Sequence, residues 1–106
     1  MNPFGNPQKM MKQLQETQER LQQELETLEI EATAGGGMVK VVMNGHKQLR
    51  TVTIDPEVVD KNDIEMLQDL VAAAVNDATR KADEAMREKL GGLAGGLAGG
   101  LKLPGL

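Results

Sequence analysis

The commonest acyl-transfer nucleophiles, Ser and Cys, are missing from this chain. Its 106 residues include no Ser, no Cys, no Tyr and no Trp, and His46 is the single His. A Ser-His-Asp or Cys-His arrangement therefore cannot be assembled within one chain. Without Cys there are no thiolate zinc ligands and no disulfides, and a zinc site of His alone would need several chains. His46 follows "MNG", a turn signal, and is expected to be a solvated turn residue. Asp and Glu are plentiful, but nothing singles out a pair. The run Gly35, Gly36, Gly37 is not followed by the Lys-Ser/Thr of a phosphate loop. An enzyme is therefore not expected, nor a cofactor, a metal or a small-molecule substrate.

What remains is charge. The formal net charge is -4, yet the stretch "ATAGGGMVKVVMNGHKQLRTVTI", from Ala32 to Ile54, holds no Asp and no Glu. It carries Lys40, Lys47 and Arg50. Residues 1–35 sum to -3, residues 36–54 to +3 and residues 55–90 to -5, and Lys102 adds +1. Lys9 and Lys12 also precede the first acid, Glu16. Nucleic-acid binding needs a local basic surface rather than a basic whole. Lys9, Lys12, Lys40, Lys47 and Arg50 are the candidate phosphate contacts. Arg80, Lys81, Arg87 and Lys89 form a second set, diluted by Asp83, Glu84 and Glu88. Two plainer accounts stand beside this one: strands disfavour acids in any case, and helical charges pair at three- and four-residue spacing. With no aromatic stacking platform, single-strand recognition is disfavoured. Binding would rest on phosphates, which carry no sequence information.

These charges must be held by a small scaffold. The chain is long enough for one domain, with a core of Leu, Val, Ile, Met and Ala, and oligomerisation is expected of so short a chain. From Pro7 to Ile30, residues Met11, Leu14, Gln18, Leu21, Leu25 and Leu28 are spaced three and four apart, the seam of a helix that needs a partner helix. Gln18 either sets register or is a tolerated polar residue. Met11, Leu14, Leu21, Leu25 and Leu28 are the candidate dimerisation residues. The glycine run then allows a turn. Val39, Val41 and Met43 alternate as in a half-buried strand, and Asn44-Gly45 signals a hairpin. The return strand, Gln48 to Ile54, loses its phase, which predicts a bulge near Arg50 or Thr51. A short strand over Glu31 to Ala34 would complete a three-stranded antiparallel meander. Asp55 and Pro56 predict a helical turn. Asn62, with Glu65 three residues on, predicts the cap of a last helix from about Asp63 to Leu90. Its stripe of Leu67, Leu70, Val71, Ala74, Ala78, Ala82 and Ala85 narrows to Ala. The fold class is thus α+β, a single domain over residues 1–90. The end, "GGLAGGLAGGLKLPGL", is expected to be a flexible tail over residues 91–106, since Gly opposes helix by about 1 kcal/mol per position. The N-terminus shows no secretory signal and no apolar run is long enough for a membrane span, so a cytoplasmic protein is expected.

Four phrases carry a resemblance: "QKMMKQLQETQERLQQEL", "GGGMVKVVMNG", "VTIDPEVV" and "EMLQDLVAAAVNDATRKADE". In this order they resemble the YbaB/EbfC family of nucleoid-associated proteins, over about Asn2 to Leu90. The resemblance implies a tweezer-like homodimer, with paired sheets as body and helices as arms. It also implies binding of double-stranded DNA at the nucleoid, altered DNA conformation, and influence on nucleoid organisation and gene expression. Two readings of other classes remain open on the residues alone: a prefoldin-like coiled-coil chaperone and a structural adaptor.

Overall fold

The computed structural model describes residues 6–101, with side chains as far as Gly92. Asn6 starts the first helix, α1 (Pro7–Thr27): its side chain accepts the Gln8 N–H at 2.9 Å, and Pro7 occupies the first turn, where its missing N–H costs nothing. The helix stops at Thr27 rather than at Ile30. Leu28 turns extended, and Ile30 is instead the first residue of β1 (Ile30–Ala34). Burial decides that boundary, because Ile30 and Ala32 alternate inward from a strand and bury together in the core.

Strands β2 (Val39–Met43) and β3 (Leu49–Ile54) complete an antiparallel sheet in the order β1-β2-β3. The glycine run makes the first connection, with φ of +64°, +67° and +93° at Gly35, Gly36 and Gly37, a conformation that only Gly adopts freely. The bulge falls where the lost phase put it: Val42 pairs with Thr51 and Met43 with Leu49, leaving Arg50 as the extra residue. The second connection is not the two-residue Asn-Gly turn of the sequence reading. Asn44 is buried, and its Oδ1 accepts the N–H groups of His46 and Gln48 at 2.9 and 3.0 Å. The positive φ belongs to Lys47, at +65°.

Gly45 is required for another reason. Its N–H donates to the Leu25 carbonyl at 2.7 Å, and a Cβ there would lie 2.7 Å from Leu25 Cδ2 and 3.0 Å from Leu25 Cα. The hairpin thus receives the C-terminal turn of α1 against bare backbone. Gly45→Ala is expected to destabilise the fold by about 1–3 kcal/mol, the usual cost of overpacking. An unchanged thermal midpoint would show that the α1–hairpin contact is looser than described.

After β3, Asp55 caps the turn Pro56–Val58 by accepting the Glu57 N–H at 3.0 Å, and Val58 plugs the interior. The last helix, α2 (Ile64–Leu101), begins one residue later than expected, and its cap is Asp63 rather than Asn62: Asp63 Oδ1 accepts the Met66 N–H at 3.2 Å. Its backbone also stays helical for eleven residues beyond Leu90, and residues 102–106 of the expected tail lie outside the described residues. A Cβ added at Gly91 or Gly92 would meet only open space. Helix propagation needs only one bond per added residue, and the stretch has no Pro before Pro104 to stop it.

Val39, Val41 and Met43 of β2, Ile30 and Ala32 of β1, and Ala74, Ala78 and Ala82 of α2 form the core. The three Ala residues are fully buried and let the helix lie close on the sheet. That cover is partial, for α2 lies mainly over β1 and β2. Leu49, Val52 and Ile54 pair with Met43, Val41 and Val39, which puts them on the same inner face. Leu49 and Val52 nevertheless stay 46% and 42% exposed. Beside them an apolar groove runs between Ile54 and the Leu67, Val71 and Val75 side of α2.

Candidate nucleic-acid interface

Each hairpin cation of the sequence reading has a carboxylate partner. Arg50 Nη2 donates to Glu26 Oε1 at 2.7 Å, and Lys47 Nζ lies 2.5 Å from Asp83 Oδ1. Lys40 pairs with Glu31 of the neighbouring strand. A segment free of acid in sequence is therefore supplied with acid in space, from α1, α2 and β1. The β1–β2 register explains one pair: Thr33 faces Lys40, so Glu31 sits diagonally from it on the same face. The other two depend on where the helices land, which no local pattern specifies.

The second set is divided. Arg80 donates to Asp77 and Glu84, each at 2.7 Å, one turn away on either side. The Arg80 hydrogen bond is the main cause holding the Asp77 carboxyl below its ordinary range, and the same bond raises the Arg80 guanidinium. Lys81 donates to the Glu31 carbonyl at 3.0 Å and lies 3.6 Å from Asp77. Lys89 crosses to Glu24 of α1 at 3.3 Å. Among the described residues, Lys9, Lys12, Arg20, Lys61 and Arg87 have no carboxylate within ion-pair distance. Arg20 and Lys61 were not among the candidates of the sequence reading. Counting charge by segment hid Arg20 between Glu19 and Glu24, and Lys61 between Asp60 and Asp63.

His46 lies in the turn, exposed, with Nε2 3.3 Å from the Gln22 carbonyl, as suits a docking contact to α1. The seam of α1 is used unevenly. Leu25 is buried on the hairpin, Leu28 packs against the core, and Leu21 lines a cleft facing Lys89 and Gly92 of α2. Met11 and Leu14 remain exposed, at 60% and 59%. No described helix is long and apolar enough to cross a membrane.

Residues 2–97 match the family model described as the YbaB/EbfC DNA-binding family. A nucleoid-associated protein of Syntrophobacter fumaroxidans is 52% identical, covering 95% of this chain and 93% of its own. One of Pelotomaculum thermopropionicum is 49% identical over 96% of each chain. This chain belongs to the YbaB/EbfC DNA-binding family. It is a family of nucleoid-associated DNA-binding proteins and not of enzymes. The YbaB/EbfC match extends to residue 97, through most of the Gly-Leu-Ala repeat that α2 spans. Among solved structures, the uncharacterized protein HP0035 from Helicobacter pylori superposes with a TM-score of 0.74, at 21% identity, covering 89% of this chain and 99% of that one. The α+β arrangement of two long helices and a three-stranded sheet is therefore shared.

Proposed function

We propose that this chain acts as a homodimer that binds double-stranded DNA with little sequence specificity at the cytoplasmic nucleoid. Binding alters DNA conformation and so influences nucleoid organisation and gene expression. The observation that carries this reading is the family match over residues 2–97. The side chains agree with it: exposed Lys and Arg line the hairpin and both helices, with no described aromatic to stack on a base. Such a surface meets phosphates and does not read base edges. Lys9, Lys12, Lys40, Lys47 and Arg50 are the proposed contacts, with Arg80, Lys81, Arg87 and Lys89 behind them.

Dimerisation is supported by what the single chain leaves uncovered. β3 is an edge strand with an unpaired backbone, an exposed Leu49 and Val52, and an apolar groove beside it. Pairing β3 with its copy would cover all three, and the exposed Met11 and Leu14 offer a second contact between the copies.

The test has two parts. Sedimentation at micromolar concentration is expected to give about twice the 11.4 kDa chain mass. Gel-shift titration on two unrelated duplexes is expected to give similar affinities that fall steeply with salt. A stable monomer refutes the dimer, and salt-insensitive or strongly sequence-selective binding refutes the phosphate reading.

A further inference from the structure

Resting on that reading, we propose that carboxylates of this chain compete with DNA phosphates for the same cations, so that Glu26 and Asp83 hold down its affinity for DNA. Arg50 gives its Nη2 to the Glu26 carboxylate at 2.7 Å, with the Glu26 carbonyl at 3.4 Å. Lys47 gives its ammonium to Asp83 at 2.5 Å. A phosphate oxygen seeks those same donors in the same way. It gains a full cation only by displacing the carboxylate.

Three features make this a competition rather than a structural lock. Both pairs are open to water, with each of the four side chains between 40% and 53% exposed, so a phosphate can approach without unfolding anything. Exposed pairs of this kind contribute little to stability. Their effect is mainly on the potential that an incoming polyanion meets. Finally, both pairs join distant parts of the chain: Glu26 lies on α1, Asp83 on α2, and both cations at the hairpin. The Arg80 pairs, by contrast, form within one helix, as any surface helix allows.

The experiment compares two doubly substituted proteins of equal net charge. Glu26→Gln with Asp83→Asn removes the competitors. Glu57→Gln with Asp69→Asn removes two exposed carboxylates that contact no described cation. Glu57 follows the far end of β3, and Asp69 lies in the first turns of α2. Duplex affinity is measured by fluorescence anisotropy at one moderate salt concentration, and fold by circular dichroism and thermal melting. The first protein is expected to bind about tenfold more tightly than wild type, the second no more than about threefold, because bulk charge acts at a screened distance. Glu26→Gln alone is expected to show part of the gain. Equal gains in the two proteins overturn the competition and leave DNA binding standing. A wild-type protein that binds no duplex removes the DNA reading itself. Loss of fold in Glu26→Gln or in the first double variant overturns the proposal by showing that the carboxylates serve the structure.

Discussion

Substitution of Lys40, Lys47 and Arg50 together by Gln is expected to lower duplex affinity on the order of a hundredfold or more at about 0.1 M salt. The size follows from counterion release. Each phosphate contact adds about 0.9 to the slope of log K against log salt, and a dimer carries the three positions twice. The slope should therefore fall by as much as about five. The ion pairs add to the loss, because Glu31, Asp83 and Glu26 are left facing the DNA without their cations. The fall should be alike on unrelated duplexes, since phosphates are common to all. Titration of two duplexes at several salt concentrations measures both quantities. Affinity and slope at wild-type values would remove the hairpin from the interface and move it to the helical cations that have no carboxylate partner among the described residues: Lys9, Lys12 and Arg20 on α1, with Arg87 on α2.

Leu25→Glu is expected to have the largest effect on the fold. Leu25 is 3% exposed, the one buried residue of α1, and its backbone and side chain meet Gly45 at the hairpin. Loss of a buried Leu costs about 2–5 kcal/mol before the carboxylate is considered. A charge placed there must also be desolvated or must leave the site. Against a total stability of roughly 5–15 kcal/mol, the protein should lose cooperative melting, or α1 should detach and take its helical signal with it. Leu14→Glu is the contrast. Leu14 is exposed at 59%, so the same substitution should change the melt little. If Leu14→Glu halves the sedimenting mass, that part of the seam holds the dimer together. A Leu25→Glu protein that melts like wild type would mean that α1 is not anchored at the hairpin.

How far these features could be read in the sequence depends on the range of the forces behind them. Val39, Val41 and Met43 show their alternation locally, and the bulge at Arg50 shows as a lost phase. The order of elements was legible on that basis, and the family resemblance in the wording of four phrases. The end of α1 was not, because Ile30 belongs to the strand only by virtue of the Ala74, Ala78 and Ala82 face that covers it. Gly45 looked like a turn glycine, although its role is to admit Leu25, twenty residues away in the chain. The basic hairpin was legible as composition. The carboxylates that meet it arrive on α1 and α2, and only the tertiary fold brings them there.

The proportions of α2 have a mechanical consequence. Its buried stripe ends near Ala82 and Ala85, while its backbone continues to Leu101. Those last sixteen residues span about 24 Å at the ordinary helical rise. Such a rod works as a lever whose fulcrum is the Ala face on the sheet. A tilt of about 10° at the fulcrum would carry the tip about 4 Å. Small changes in how the helix seats on β1 and β2 would thereby be magnified at its far end, against the hold of the Lys89–Glu24 contact to α1.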